Sequence, residues 1–557
     1  MQDTLRNAIA EALTAATADG SLPPLEAPEF VIETPPRSDM GDFACNVAMT
    51  LARAAKLPPR QIAQIVIDHL PAGLPLQRVE IAGPGFLNLY LASTWLYDSL
   101  RECLERGQEY GRSEAGGGAR VQIEFVSANP VGPLHIGNAR GGPYGDVLAA
   151  LLEFTGHEVE REYYVNDARD NTQLQTFGRS LRLRYLQLLG EAVDFPEGLY
   201  SGEYVSDYAR RLLDEQGESL RETPDDAEGW VVFADHVLPW VLQSLRADLQ
   251  AFGIEYDVWF SERSLHESGA VHAEIERLLD MGVAYRKDGA VWLKTKEHGD
   301  DEDRVLVRET GAPTYIASDL AYARDKFERG FERVIYVWGP DHAGYVPRMK
   351  AAVEAIGIDL SRVEIIISQI VRFLRGGERV RLSKRKGAIV NLSDLLEEVG
   401  RDAARFHFLT RTVEAHMDFD LDLATKQAAE NPVYYVQYAH TRTCGVLRRA
   451  EEEGAARPAP QAARLELLTH PDEQALLRKL ADFPADLRIA VDIRGPHQLT
   501  VFGRELAQLF HQFYTTCHVI DSAQPDLTGA RLCLVEGTRI VLATVCRLLG
   551  IDAPERM

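Results

Sequence analysis

Cysteine is scarce and scattered: six occur in 557 residues, the nearest two, Cys533 and Cys546, lie thirteen positions apart, and there is no C-x-x-C. That spacing excludes a zinc ribbon and a disulfide scaffold, so reduced thiols and no structural zinc are expected. Long apolar runs are also missing. No stretch of 18 apolar residues exists, so no membrane span or membrane partner is expected. The opening MQDTLRNAIAEALTAATADG reads as an amphipathic helix without the basic and apolar regions of a signal peptide, which points to the cytoplasm. Positive charge is in deficit: 60 basic against 84 acidic residues give −24. Taken alone, that sum argues against a polyanionic partner. What is present is ordinary, with 43 Gly, 27 Pro and 45% hydrophobic residues, enough for three or four domains at roughly 150 residues each.

Residues 1–112 read as a small α+β unit: helical patterns surround Cys45 to Ala52 and Ile62 to Leu70, and strand patterns cover Val79 to Ala82 and Phe86 to Leu91. SEAGGGAR (113–120) is a linker. Then VQIEFV (121–126), a helical face at Val147, Leu148, Leu151 and Leu152 closed by Gly156, and Val159 to Val165 form a strand, helix and strand, as in a right-handed unit of a parallel sheet. Pro143 requires that helix to begin nearby or to kink. Further buried strands are expected at Val334 to Trp338 and Val363 to Ile367. From about Leu392 onward the pattern is helical.

Two segments carry chemistry. The loop Ser127-Ala-Asn-Pro-Val-Gly-Pro-Leu-His-Ile-Gly-Asn138 lies between a strand and a helix, where N–H groups at the edge of a parallel sheet face a phosphate. Gly137 permits close backbone approach and His135 can donate to phosphate oxygens, although a lone histidine at a strand end is more often structural. The second segment, RVRLSKRKG (379–387), sits in a stretch from Arg362 to Lys386 with eight basic and two acidic residues. A clamp on triphosphate charge and a solvated basic turn are both open readings of it.

In this order and separation the two segments, HIGN and RLSKR, resemble the HIGH and KMSKS signatures of class I aminoacyl-tRNA synthetases. The resemblance extends along the chain to the arginyl-tRNA synthetases of bacterial type through GDFACNVAMTLA (41–52), GPGFLNLYL (83–91), IEFVSANPVGPLHIGN (123–138), EYYVNDA (162–168), YVWGPDHAGYVPRMKAA (336–352), DAARFHFL (402–409), NPVYYVQYAHTR (431–442) and APERM (553–557). It implies an α/β multidomain chain. An N-terminal tRNA-contacting α+β domain (1–112) precedes a Rossmann-like parallel-sheet catalytic domain (113–391, with insertions at about 187–330), and an all-α DALR-type anticodon-binding domain (392–557) follows.

The chemistry implied is arginine, ATP and tRNA(Arg) going to arginyl-tRNA, AMP and pyrophosphate, with Mg²⁺ accompanying ATP. By that resemblance the region Ala128, Asn129, Pro130, Val131, Gly132, Pro133, Leu134, His135, Ile136, Gly137 and Asn138 holds ATP. His135, Gly137, Asn138, Ser383 and Lys384 are the catalytic candidates. Glu124, Asn129, Tyr315 and Asp319 are the arginine-binding candidates, since a guanidinium fork suits carboxylates. Asp341 and His342 are candidates for ATP or arginine contacts. Tyr434, Tyr438 and Arg442, spaced on one helical face behind an Asn431 cap and Pro432, are candidates for anticodon stacking. Without the resemblance, Glu124 would pass as an exposed strand residue, and Tyr315, Tyr434 and Tyr438 as core. No protein metal site is expected, and a monomer is.

Two positions depart from the signatures. Asn138 replaces the second histidine of HIGH and keeps a donor but not a titratable one, while Arg381 replaces the first lysine of KMSKS. They leave a catalytically silent RNA-binding relative open, beside a synthetase for another amino acid and an HxGH-type nucleotidyltransferase. The charge deficit, meanwhile, is localised. Residues 191–228 hold twelve acidic against three basic residues, and EHGDDED (297–303) holds five acids, so most of the −24 lies away from the candidate sites.

Overall fold

A computed structural model describes residues 1–25, 29–33, 35, 37, 40–92, 94–380 and 391–557. The N-terminal part is a helix, Gln2–Ala18, beside an antiparallel four-stranded sheet of Ile32–Glu33, Phe43–Cys45, Leu76–Ala82 and Phe86–Leu91, with helices Val47–Ala55 and Pro59–Asp68. None of the described helices is long and apolar enough to cross a membrane.

The centre is a five-stranded parallel sheet. Its strands are β1 (Arg120–Phe125), β2 (Glu158–Val165), β3 (Val258–Ser261), β4 (Arg333–Trp338) and β5 (Val363–Ile367), in the spatial order β5-β4-β1-β2-β3. Helix α1 (Gly141–Phe154) follows β1, and α2 (Tyr315–Glu328) precedes β4. Strand side chains alternate between faces, and both faces are covered here. Val121, Ile123, Phe125, Ile335 and Val337 join the core that contains α1, while Val334 and Tyr336 join a second core with Ile316, Leu320 and Ala323 of α2. The other residues of β1, Gln122 and Glu124, are buried as well. β1 therefore departs from the continuous apolar run usual in a strand covered on both faces: Gln122 and Glu124 alternate with Val121, Ile123 and Phe125 and are buried all the same. Pro143 is absorbed at the third position of α1, where its missing N–H would have been unpaired in any case.

Between β2 and β3 lie helices Thr172–Leu188, Glu203–Gln216 and Ala227–Ala251; between β3 and β4 lies a three-stranded antiparallel sheet of Ala284–Lys287, Ala290–Leu293 and Arg304–Val307. The C-terminal part packs α3 (Pro432–Glu452), α4 (Pro471–Asp492), α5 (His497–Thr516) and α6 (Pro525–Leu549).

Two local expectations are corrected. The region after Leu392 is not purely helical: Met417–Asp420 pairs in parallel with Val371–Leu374. The tetrapeptide Met-Asp-Phe-Asp buries Met417 and Phe419 alternately, a period-two pattern too short to register inside a helical region. Asn431 does precede α3, but its side chain does not cap it. Its amide donates to the carbonyls of Ala424 (3.0 Å) and Lys426 (2.8 Å) and its oxygen lies 3.1 Å from His407 Nε2.

Arg405, in the DAAR phrase, is fully buried and ties these parts together. Its guanidinium donates to the carbonyls of Leu549 at the end of α6 (3.0 Å), of Phe252 (3.1 Å) and Gly253 (3.0 Å) in the insertion, and to the carboxylate of Asp146 in α1. One side chain thus joins three segments far apart in sequence. Replacing it by Met leaves three carbonyls without their donor and Asp146 with only Arg161 at 3.4 Å, so Arg405→Met should destabilise the chain by about 3 kcal/mol. Denaturant unfolding measures this, and an unchanged midpoint would show that Arg405 does not bind the parts together.

Candidate active site

In an open parallel sheet, ligands bind beyond the carboxyl ends of the strands where the strand order reverses, because the connections there diverge and leave a crevice. Here β1 is followed by β2 on one side, while β4 pairs on its other side, so the crevice opens at the ends of β1 and β4. β1 stops abruptly: Val126 and Ser127 adopt φ of 67° and 39°. A β-branched residue in that region is strained and persists only when its surroundings hold it. They do. The carbonyl of Phe125 accepts from Tyr256 Oη (3.0 Å), that of Ser127 from Asn166 Nδ2 (3.2 Å) and that of Ala128 from Tyr163 Oη (2.8 Å), while Ser127 Oγ accepts from the Tyr164 N–H (3.1 Å). None of these clamps was legible from the loop sequence.

The loop then turns through half-buried Asn129, Val131 and Pro133 and buried Pro130, Gly132, Leu134 and Ile136. Gly132 has φ of 153°, and a Cβ there would lie 2.7 Å from the ring of Tyr204 in the insertion. His135 and Asn138 are exposed. The backbone N–H of Gly137 donates to His135 Nδ1 at 3.0 Å, so Nδ1 is unprotonated and the ring carries its proton on Nε2. Desolvation lowers the imidazole below its ordinary range, which favours this neutral form.

Ser383 and Lys384, with Arg381, lie outside the described residues. Their flanks are described. Val380 donates to the carbonyl of Phe373 (2.8 Å), Asn391 bridges to His135, and Leu392 N–H donates to the carbonyl of Leu134 (2.8 Å). The chain leaving the second motif is therefore bonded to the first.

Beneath the loop lies a set of buried charges. Glu124 Oε2 accepts from Lys326 Nζ at 2.6 Å, and Oε1 from Ser127 Oγ at 3.3 Å. Lys326 is fully buried between the rings of Tyr322 and Tyr336, 4.1 and 4.0 Å from their centroids, with Glu162 at 4.0 Å. Glu162, fully buried, takes Arg329 at 2.7 Å and the hydroxyl of Tyr322. Asp319, one turn after Tyr315 in α2, accepts from Tyr345 Oη (2.6 Å), and burial pushes its carboxyl up to about 6. Glu262, just after β3 and buried, is pushed up to about 8 by burial and by the charges of Asp319, Asp170 and Asp167. Tyr164 at the end of β2 is the shared neighbour of Glu262, Asp319 and Glu124. Glu262 was missed in the sequence because no motif marks it; the buried pairing with Asp319 exists only in the fold.

The other candidates are placed less centrally. Tyr315 begins α2 and is 53% exposed, which excludes the core-packing reading. Asp341 and His342 stand exposed in the turn after β4, 3.5 Å from each other, with the His342 ring 5.7 Å from Trp338. Tyr434, Tyr438 and Arg442 form a separate site on α3. The two rings stack at 6.0 Å with 8° between planes, and Arg442 donates to Tyr438 Oη at 2.6 Å while lying over Tyr514 at 5.1 Å. Beside them is a cleft of about 550 Å³ lined by Tyr438, Arg442, Arg449, Tyr514 and His518.

Comparison with known proteins places this geometry. Residues 3–91 match the family described as the arginyl tRNA synthetase N terminal domain, 236–436 the class I (R) tRNA synthetase catalytic domain, and 436–557 the DALR anticodon binding domain. The arginine–tRNA ligase of Moorella thermoacetica is 48% identical over all of both chains, and that of Syntrophotalea carbinolica 47% identical over all of both. The arginyl-tRNA synthetase structure from Thermus thermophilus superposes with a TM-score of 0.74 at 24% identity, over all of both chains, a likeness of fold.

The Gly132 contact yields a test of how the loop is shaped. Gly132→Ala drives a methyl into Tyr204 and should destabilise by about 1–3 kcal/mol, part of which Tyr204→Ala restores in the double variant. Equal stability of Gly132→Ala and the wild type in denaturant would contradict that contact.

Proposed function

The chain belongs to the arginine–tRNA ligases, and from that premise we propose how its own residues divide the work of charging tRNA(Arg) with arginine at the expense of ATP. The single observation that carries the assignment is the pair of carboxylates at the site, half-buried Asp319 held by Tyr345 Oη at 2.6 Å and buried Glu262 just after β3, which lie within electrostatic reach of each other and are both raised by desolvation. Two carboxylates held partly protonated by burial are an unmet demand for a cation, and a guanidinium presents a planar fork that fits them where an ammonium does not. Tyr315, one turn from Asp319, borders the same end. Glu124 and Asn129, at the strand end that carries the nucleotide loop, take the α-amino end.

In the first step a carboxylate oxygen of arginine attacks the α-phosphorus of ATP, and pyrophosphate leaves on the opposite side. The protein supplies no nucleophile, only position and charge. His135 offers its Nε2–H, Asn138 its amide and Gly137 an approachable backbone to the phosphates. Ser383 and Lys384 act on the leaving side, on a segment whose exit is stitched to Leu134. Mg²⁺ enters with ATP as part of that substrate. Asp341 and His342 border the ATP pocket. In the second step the terminal adenosine 2′-hydroxyl of the tRNA attacks the adenylate carbonyl and AMP leaves. Residues 1–112 contact the tRNA, 113–391 carry the chemistry, and 392–557 hold the anticodon. The stacked Tyr434 and Tyr438 with Arg442 beside the 550 Å³ cleft supply faces on which unstacked bases can lie.

Arginine should support ATP–pyrophosphate exchange in the presence of tRNA, and lysine should not. No exchange with arginine and tRNA would defeat the assignment. Asp319→Asn removes a charged hydrogen bond worth about 2 kcal/mol, so the arginine KM should rise roughly 30-fold; an unchanged KM removes Asp319 from recognition.

The raised carboxyls also fix a pH dependence. Arginine binds the ionised pair, whereas Glu262 at about 8 and Asp319 at about 6 hold protons below those values. Binding at about pH 7 should therefore release roughly one proton, and affinity should climb from about pH 6 to 8 and then level off. In the free protein the sign is opposite for stability. The folded chain keeps protons that the unfolded chain has lost above its ordinary carboxyl range, so this pair lowers unfolding free energy as pH rises toward 8. Calorimetry in buffers of different ionisation enthalpy counts the protons, and zero release would contradict the pairing.

A further inference from the structure

Every cluster beneath the nucleotide loop is accounted for by the reading above except one side chain. Lys326 touches no proposed substrate position, yet it is a buried cation in direct contact with Glu124. It is fully buried, whereas a lysine is almost never fully buried unless paired. Its Nζ lies 2.6 Å from Glu124 Oε2 and 4.0 Å from Glu162 Oε1, with aromatic rings above and below. The titratable groups around Glu124 come from every element packed on it: Lys326, Tyr322 and Asp319 from α2, Glu162 and Tyr164 from β2, Tyr256 from the turn before β3, Tyr336 from β4, and Arg329 just beyond α2, whose guanidinium is taken by Glu162, Glu160 and Asp325. Since Arg329 is spent on β2, Lys326 is the cation paired with Glu124 among the described residues.

We propose that Lys326 is a positioning residue for arginine recognition: its ammonium pairs with the Glu124 carboxylate so that Oε2 is turned into the sheet and Oε1 is left toward the crevice for the arginine α-ammonium. The assignment rests on the reading of Glu124 as an arginine ligand. Geometry makes the division of labour specific. Oε2 is occupied by the short contact to Lys326, while the only protein donor to Oε1 among the described residues is the Ser127 hydroxyl at 3.3 Å, a long bond that an incoming ammonium can replace. The neighbouring carboxylates show what Glu124 would become without its lysine. Asp319 and Glu262 have no buried cation at contact distance among the described residues, and burial raises both. With Lys326 removed, Glu124 joins them: it takes a proton, loses its charge for the α-ammonium and can no longer accept on the protonated oxygen.

The test is ATP–pyrophosphate exchange by the full-length protein with tRNA, measuring the arginine and ATP KM from about pH 6 to 8.5. For Lys326→Met the arginine KM should rise at least tenfold at about pH 7 with the ATP KM within twofold, and the defect should shrink as pH rises and Glu124 ionises. Lys326→Gln, which keeps a donor but no charge, should show the same pH-dependent defect. Lys326→Arg, which keeps the charge, should stay within a few fold of wild type. The Glu124→Gln/Lys326→Met pair buries no lone charge, and its arginine KM should be high and show no such recovery. A Lys326→Met or Lys326→Gln variant with a wild-type arginine KM, or with arginine and ATP KM raised alike at every pH, overturns the proposal. Glu124→Gln separates the two levels. If it weakens arginine while the neutral Lys326 variants do not, only the role of Lys326 falls; if it leaves the arginine KM unchanged, the reading of Glu124 as a ligand falls and this role with it.

Discussion

A carboxylate on the central strand of a parallel sheet is the constraint around which this site is arranged. Glu124 is 5% exposed on β1, with the sheet covered on both sides, and an isolated ionised carboxylate there would cost several kcal/mol. The fold meets that cost with Lys326 from α2 and repeats the device one strand over, where Glu162 is met by Arg329. Lys326 and Arg329 thus serve both buried acids of the sheet, Arg329 reaching Glu160 and Asp325 as well. Beyond them, Asp319 and Glu262 have no cation at contact distance among the described residues, and burial raises both.

The nucleotide side depends on a different constraint, the strained exit from β1. Val126 and Ser127 hold left-handed backbone conformations because hydroxyls from Tyr163 and Tyr256 and the amide of Asn166 bind the carbonyls around them. The turn lifts the loop over the sheet edge, and the Gly137 N–H then sets the His135 tautomer. Far from the crevice, Arg405 ties the end of α6 to the insertion and to α1, the helix that starts at the end of that loop. The helical C-terminal part is thereby joined to the element that follows the loop, a contact that Tyr144 Oη of α1 reinforces by donating to the carbonyl of Arg494 at 2.8 Å.

Much of this was legible in the sequence. β4 and β5 fall where the apolar runs at Val334 to Trp338 and Val363 to Ile367 place them, and β1 and β2 where 121–126 and 159–165 read as strands, whereas the short β3 at Val258–Ser261 was not read as one. The motif positions Glu124, His135, Asn138 and Asp319 could be picked out because each sits in a phrase. The pairings could not: Ser127 and Tyr345 lie in quoted phrases but without a sign of what they bond, and Lys326 and Glu262 lie in none, Lys326 meeting Glu124 across 202 residues. Arg405 was visible as the last letter of DAAR, but its burial depends on carbonyls from two distant segments. The strand Met417–Asp420 was hidden for the opposite reason: four alternating residues are too few to declare a period amid helices. The charge of −24, which read as a bar to a nucleic-acid partner, proved uninformative as a total, because its acids concentrate at 191–228 and 297–303, away from the cationic groups on α3.

The central claim is that arginine is recognised by where buried carboxylates are left unpaired. A crystal structure of the protein with bound L-arginine tests it most directly. The account predicts the guanidinium between the carboxylates of Asp319 and Glu262, the α-ammonium within hydrogen-bond distance of Glu124 Oε1, and the Lys326 to Glu124 contact intact. Arginine bound with its guanidinium elsewhere, or with Lys326 displaced from Glu124, would contradict it.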